Sequence, residues 1–155
     1  MSVNDANPLY PAHLQSIKAR VDAAMQKHGF DHLLVASGVE KFEFLDDRPY
    51  PFKPSAQFKA WLPLTHHAHS WIAYTPGQKP VLVYYQPDDY WHVPPTAPEG
   101  AWVEHFDIRV ISDAHLEVDT CEVWAPTVYL RADGQIVSSA APALLPQTIT
   151  IQTLN

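Results

Sequence analysis

The sequence predicts an α/β domain built on a mixed β-sheet with flanking helices. Residues 11–28 have the periodicity of an amphipathic helix, and residues 32–37 form a short apolar run. Residues 71–75 and 81–85 are rich in β-forming side chains on either side of a turn. A helix followed by a strand, a hairpin and another strand is typical of α/β domains. With 155 residues the chain has the size of one domain and can bury a substantial core.

The first predicted element is the helix over residues 11–28. Pro11 suits a first helical turn, and Gly29 suits a C-terminal cap. Steps of three and four residues place the apolar positions, together with one histidine, on a single face that we expect to be buried. These positions are Leu14, Ile17, Val21, Ala24, Met25 and His28.

The predicted strands follow the helix. The run "HLLVAS" at 32–37 ends before Gly38, as a buried strand does. The segments "WIAYT" and "VLVYY" flank the turn Pro76-Gly77, which predicts an antiparallel hairpin. The segment "WVEHFDIRVI" at 102–111 alternates in part and predicts another strand.

Composition and charge exclude several classes of protein. The formal net charge is −7 and no cluster of Lys and Arg offers a basic face, so we expect no nucleic-acid partner. Cys121 is the only cysteine, which excludes a disulfide framework and a cysteine-based metal site. The N-terminal segment lacks the features of a signal peptide, and no run is apolar enough to span a membrane. We therefore expect a cytoplasmic protein with no membrane partner.

Two long connections, at residues 44–70 and 86–101, are rich in proline and aromatic residues. We interpret both as ordered loops without secondary structure of their own, because such aromatic content argues against disorder. Loops of this kind commonly hold binding residues. The aromatic side chains of "FLDDRPYPFKPSAQFKAW" at 44–61 either line a pocket or belong to the core.

Three histidines, His66, His67 and His69, are close together in the first connection. His67 and His69 are two residues apart, so on a strand they would face the same way and could ligate a metal. No third ligand has suitable spacing, and the segment precedes the predicted strand. An exposed loop is the favoured interpretation.

Paired carboxylates occur once in each connection, as Asp46-Asp47 and Asp88-Asp89. They could supply hard oxygen ligands or an acid-base pair. The favoured interpretation is structural, because Asp commonly caps turns and helix starts. The sequence has neither a nucleophile elbow nor a phosphate-binding glycine loop, so no catalytic residue is assigned.

Two blocks of residues have the order and spacing of a known family. The first is Phe44-Leu45-Asp46-Asp47, Tyr50-Pro51-Phe52-Lys53, Gln57-Phe58-Lys59-Ala60-Trp61 and Pro63. The second is Lys79-Pro80, Leu82, Tyr85, Pro87 and Asp89-Tyr90-Trp91-His92. Together they resemble the N-terminal domain of bacterial Xaa-Pro dipeptidases, the prolidases. The resemblance covers about residues 9–111.

The resemblance implies a creatinase-like α/β domain over residues 1–111. In the complete family enzyme a second domain, of pita-bread fold, holds two divalent metals, commonly manganese, through two Asp, one His and two Glu. Those metals activate a water that attacks the Xaa-Pro bond. None of these ligand motifs occurs in the sequence. We therefore expect the catalytic domain to be absent, the chain to bind no metal or other cofactor, and the chain to be inactive alone.

The resemblance also implies a homodimer, or a prolidase-type subunit, in which loops of this domain reach into the neighbouring subunit's active site. Carried over residue by residue, the resemblance assigns binding of the Xaa-Pro dipeptide in trans to Asp47 and Trp91. A carboxylate can accept hydrogen bonds from the free amino group, and an aromatic ring can wall the pocket for the Xaa side chain. The alternative is that Asp47 caps its loop and Trp91 is part of the core.

Residues 112–155 depart from the family pattern that we expect. "EVWAPTVYL", a turn at 132–134 and "QIVSS" predict a hairpin, and "TITIQTL" predicts an isolated strand. Prolines at 126, 142 and 146 should restrict strands there to sheet edges. We expect a divergent tail that packs on the same domain or completes it. Whether the protein is truncated, frameshifted or naturally short stays open.

Three functions follow from these observations. The favoured one is the N-terminal domain of an Xaa-Pro dipeptidase, a metal-dependent hydrolase, serving dimerisation and substrate enclosure. The alternative is a small stand-alone binding protein derived from that domain. The third is an enzyme in its own right that uses the two Asp pairs.

Overall fold

A computed structural model describes residues 8–87, 90, 96–112, 127–132 and 136–139 of the chain. Two α-helices lie in these ranges, α1 (Tyr10–His28) and α2 (Ala56–Trp61). A 3-10 turn, Val103–His105, precedes the fourth strand. The strands are β1 (His32–Ala36), β2 (Trp71–Tyr74), β3 (Val81–Tyr85), β4 (Asp107–Ile111), β5 (Thr127–Leu130) and β6 (Ile136–Ser139).

The strands form one mixed sheet in the order β4-β3-β2-β1-β5-β6. β3 and β4 are parallel, and the other neighbours are antiparallel. Leu34 of β1 is paired with Ala73 on one side and with Val128 on the other. The predicted α/β class is confirmed, as is the antiparallel hairpin of β2 and β3.

Helix α1 begins one residue before the predicted start and ends at the predicted residue, His28. Proline occupies the first turn, and Gly29 adopts a φ of 69° at the C-terminal end. This left-handed conformation favours glycine, and it lets the Phe30 N–H donate to the Met25 carbonyl at 2.9 Å. Leu14, Ile17 and Met25 are buried on the face toward the sheet. His28, which we expected on that face, is exposed in the last turn.

The core lies between the two helices and one face of the sheet. Tyr74 of β2 is central to it, because its ring contacts Trp61 of α2 at a centroid distance of 5.2 Å. Its hydroxyl donates to Asp22 Oδ1 of α1 at 2.6 Å. Tyr10 ties the helices together by donating to the Trp61 carbonyl at 2.7 Å. Trp102 and Phe106, which flank the 3-10 turn, complete the cluster.

Two of the predicted element boundaries are wrong. The connection at 44–70 contains α2, which the Ser55 side chain caps by accepting a hydrogen bond from the Phe58 N–H at 3.2 Å. The strand predicted at 102–111 begins only at Asp107, because the residues before it form the 3-10 turn. Within the described ranges, no helix combines the length and apolar character needed to cross a bilayer.

The hairpin predicted beyond residue 111 is present as β5 and β6, which pair antiparallel. The expectation that strands here lie only at edges is wrong for β5, which lies between β1 and β6. The physical reason is the position of residue 126, a proline that precedes Thr127 in sequence and therefore removes no N–H from the strand itself. The strand predicted at "TITIQTL" lies outside the described residues.

Candidate functional site

Residues 42–49 form a short antiparallel excursion, the tip loop, between β1 and α2. Phe42 and Pro49 form an isolated bridge, and the Glu43 N–H donates to the Arg48 carbonyl at 2.9 Å. The turn closes where the Asp46 N–H donates to the Glu43 carbonyl at 3.1 Å. Leu45 has a φ of 60°, an unusual conformation for a residue with a side chain. The tip loop is therefore held by its own backbone hydrogen bonds.

The tip loop presents large apolar side chains and two carboxylates to solvent. Phe44 is 90% exposed and Leu45 is 91% exposed. Asp46 and Asp47 follow them and are also exposed. In the part of the chain that the structure describes, neither carboxylate makes a hydrogen bond or an ion pair. A capping carboxylate accepts a hydrogen bond from a nearby backbone N–H, and Asp47 accepts none from the described residues.

Three serines fix the base of the tip loop to the sheet. Ser37 is buried and lies just beyond β1. Its N–H donates to the Ser70 carbonyl at 2.9 Å, and the Ser70 N–H donates to the Ser37 hydroxyl at 3.0 Å. The Ser70 hydroxyl accepts from the Tyr85 N–H at 3.2 Å. Ser55 donates its hydroxyl to the Ala36 carbonyl at 2.7 Å. This serine cluster therefore joins the ends of β1 and β3 to the starts of α2 and β2. The sequence did not reveal it.

A cavity of about 470 Å³ lies beside the base of the tip loop. Phe52 and Tyr50 contribute its aromatic wall, and Lys41 and Lys53 contribute its cationic groups. Gly38 closes one side with a φ of 116°, and a Cβ there would lie 3.5 Å from the Phe52 ring. The arrangement leaves an open depression with an apolar wall and positive charge.

The aromatic residues of the segment at 44–61 divide between core and surface. Phe58 and Trp61, on α2, are buried in the core. Phe52 lines the cavity, whereas Phe44 projects from the tip loop. Both alternatives that the sequence left open are therefore realised, by different residues of one segment.

The histidine segment is not the exposed loop that we expected. His66 is exposed, but His67 and His69 are partly buried. His67 Nε2 lies 2.7 Å from the Tyr84 hydroxyl, and the His69 ring packs edge-on against Tyr85. Burial lowers the pKa of both histidines below the ordinary value; His66 lowers that of His67 further. The prediction of an exposed loop was wrong because the partners of these histidines lie on β3, which only the tertiary fold brings near.

Metal ligation finds no support among the residues that the structure describes, which contain no group of three His, Cys, Asp or Glu arranged to hold an ion. The two-metal centre of the complete family enzyme therefore does not fit these residues. The pair Asp88-Asp89 and Trp91, one of the two substrate-binding residues inferred from the resemblance, lie outside the described residues.

Comparison with known proteins gives one family. The model of the Xaa-Pro dipeptidase N-terminal domain matches residues 8–129. The Xaa-Pro dipeptidase of Xanthomonas campestris pv. campestris (strain B100) is 55% identical over 137 residues, which is 88% of this chain and 30% of that protein. The Xaa-Pro dipeptidase of Stenotrophomonas maltophilia (strain K279a) is 50% identical over 111 residues, 72% of this chain and 25% of that protein.

The family match extends beyond the span of the resemblance, which ended at about Ile111. It continues to residue 129. The chain spans less than a third of the length of these relatives. Over residues 8–129 the chain belongs to the Xaa-Pro dipeptidase N-terminal domain family.

Proposed function

We propose that the chain acts as the N-terminal domain of an Xaa-Pro dipeptidase, a cytoplasmic enzyme that hydrolyses Xaa-Pro dipeptides. In this proposal the domain pairs two subunits and helps to enclose the dipeptide, and it hydrolyses nothing alone. Its membership of the family and its coverage of about 30% of the length of a relative support a role within a larger enzyme.

The observation that carries the proposal is the exposure of the tip loop. Phe44 and Leu45 are almost fully exposed, and Phe42 and Tyr50 at the base of the loop are about half exposed. Single exposed apolar side chains are ordinary, but a group of them on one projection is typical of an interaction surface. A second subunit that covers these side chains would remove their apolar surface from water.

Asp47 has the chemistry for binding a dipeptide. Its carboxylate is exposed and makes no contact in the described part of the chain, so it is free to accept hydrogen bonds from a ligand. A charge-assisted bond to the free amino group of the substrate would distinguish dipeptides from longer or blocked peptides. The assignment of Trp91 as a wall of the side-chain pocket rests on the family resemblance.

The two divalent metals, commonly manganese, belong in this proposal to another part of the complete enzyme. The described residues offer no ligand group that fits them. The contribution of this domain is therefore to bind and enclose the substrate.

A chimera tests the proposal. Residues 8–129 replace the matching segment of the Xanthomonas campestris enzyme, and KM is measured for an Ala-Pro dipeptide and for the analogue that lacks the amino group. We expect Asp47→Asn to raise KM for the dipeptide about tenfold or more, because the acceptor for the charged amino group loses its negative charge. The KM for the analogue should stay unchanged.

Asp46→Asn is the matched control, since it removes the neighbouring exposed carboxylate and should leave both KM values within about twofold of the parent. Equal KM values for the parent chimera and the Asp47→Asn chimera would contradict the proposed role.

A further inference from the structure

His67, Tyr84 and Thr96 form one hydrogen-bonded chain beside β3. Tyr84 is 1% exposed, and its hydroxyl oxygen lies 2.7 Å from His67 Nε2 and 2.9 Å from the Thr96 carbonyl oxygen. The rings of His67 and Tyr84 are in contact, with their centroids 5.1 Å apart. One phenol therefore joins the segment before β2 to the end of the second aromatic connection, residues 86–101.

The hydrogen bonds determine where the protons lie. A carbonyl oxygen only accepts, so the single phenolic proton of Tyr84 is donated to Thr96. The Tyr84 oxygen then accepts from His67, which places the imidazole proton on Nε2 and leaves Nδ1 as an acceptor. His67 Nδ1 is buried and has no hydrogen-bond partner among the described residues.

Protonation of His67 would change the character of Nδ1. Nδ1 would become a charged N–H donor in a buried position, with no acceptor among the described residues. Burying such a donor costs more free energy than burying an unsatisfied neutral acceptor. The ring can relieve this cost by turning Nδ1 toward water, but it then leaves the Tyr84 hydroxyl. The neutral ring is therefore the form that this geometry holds.

We propose that His67 is a positioning residue that orients the Tyr84 hydroxyl toward the Thr96 carbonyl while its ring is neutral, and that protonation loosens this orientation. This hydrogen-bond switch does not rest on the proposed function.

Among the residues that the structure describes, the groups that act on His67 favour its neutral form. Burial lowers its pKa, and the neighbouring His66 lowers it further. Tyr84 faces the ring from β3, and burial raises the pKa of this phenol, so it brings no negative charge. Glu40 acts on the pKa of His69, and neither it nor exposed Glu99 on the Thr96 segment acts on that of His67.

The test is an NMR titration of the intact chain from pH about 8 to about 5, across the ordinary histidine pKa. The imidazole signals of His67 and the carbonyl carbon of Thr96 are followed together. We expect both to change with one midpoint below 6.5, the ordinary histidine value. The nitrogen shifts of His67 at high pH should identify the Nε2–H tautomer.

Two variants separate the switch from a general effect of acid. In His67→Gln the side-chain N–H can still donate to Tyr84 but cannot titrate, so the Thr96 signal should keep its high-pH position throughout. In Tyr84→Phe the ring is kept and the link is cut, so the Thr96 signal should lose its dependence on His67. His66→Gln is the control; the shared midpoint should rise and the coupling should remain.

A Thr96 signal that stays constant over this range would overturn the proposal. So would a Thr96 transition that persists unchanged in the Tyr84→Phe variant. These outcomes do not depend on the chimera kinetics, so this proposal and the proposed function can fail separately.

Discussion

Asp47 and Ser55 lie in one segment of the chain but have opposite surroundings. Asp47 is exposed and makes no hydrogen bond in the described part of the structure. The Ser55 hydroxyl donates to the Ala36 carbonyl and accepts from the Phe58 N–H, so it joins α2 to the end of β1. The two side chains should therefore respond differently to truncation.

We expect Asp47→Ala to change the free energy of unfolding by no more than about 0.5 kcal/mol, because it removes an exposed side chain without partners. Ser55→Ala should cost about 1–2 kcal/mol, since it removes a helix cap and leaves the Ala36 carbonyl without its donor. Urea denaturation of the two variants and the parent provides the comparison. Similar losses for both variants would mean that Asp47 caps the tip loop.

At the scale of residues, the sequence predicted candidates better than surroundings. The block around Asp47 makes that residue a candidate for substrate binding. Nothing local distinguishes exposed Phe44 from buried Phe58, because only the position of α2 separates them. The hydrogen-bond partner of His67 could not be predicted from the sequence either. Tyr84 lies on a different element, and only the tertiary fold brings the two side chains together.

At the scale of elements, β5 is the least expected part of the fold. It pairs with β1 on one side and with β6 on the other. β4, in contrast, lies at an edge of the sheet and pairs with β3. An interior strand has ladder partners for consecutive N–H groups, whereas an edge strand directs every second N–H away from its neighbour.

Hydrogen exchange should separate these two kinds of strand. We expect consecutive amides of β5 to be protected, and the amides of β4 to alternate between protected and fast-exchanging. Residue-resolved exchange measured by NMR on the intact chain gives the pattern. Alternating protection along β5 would show that one of its two pairings does not exist in solution.

Local signals explain which elements could be predicted. Helix α1 is long enough to show its periodicity and ends at Gly29, and the β2–β3 hairpin encloses Pro76-Gly77. Helix α2 spans only six residues, too few for a periodic pattern, so its one usable signal was Ser55 at the N-cap. The place of β5 beside β1 depends on a pairing between distant segments, which no local pattern reveals.

At the scale of the whole molecule, the partly buried histidines link stability to pH. Burial lowers the pKa of His67 and His69 below the unfolded value of 6.5, although Glu40 partly opposes this for His69. The unfolded chain therefore binds more protons than the folded protein as the pH falls through 6.5. Their contribution to stability is complete above that pH and declines below it.

We expect the urea midpoint to fall between pH about 7.5 and about 5.5, a window above the ordinary titration of carboxylates. The double variant with His67→Gln and His69→Gln should show a smaller fall, because neither replacement titrates. Equilibrium unfolding at several pH values provides the measurement. A midpoint that rises on acidification in the parent would contradict the burial of these rings.

The central claim is that the tip loop of one subunit serves the active site of its partner. Mixed dimers of the chimera test it most directly. One subunit has Asp47→Ala and an intact catalytic domain, and the other has Asp47 and a catalytic domain whose metal ligands are replaced by alanine. Each variant alone should be nearly inactive on an Ala-Pro dipeptide. If Asp47 acts in trans, the mixed dimer regains activity, because the intact catalytic domain receives Asp47 from its partner. A mixed dimer as inactive as its parents, with dimerisation verified, would contradict the claim.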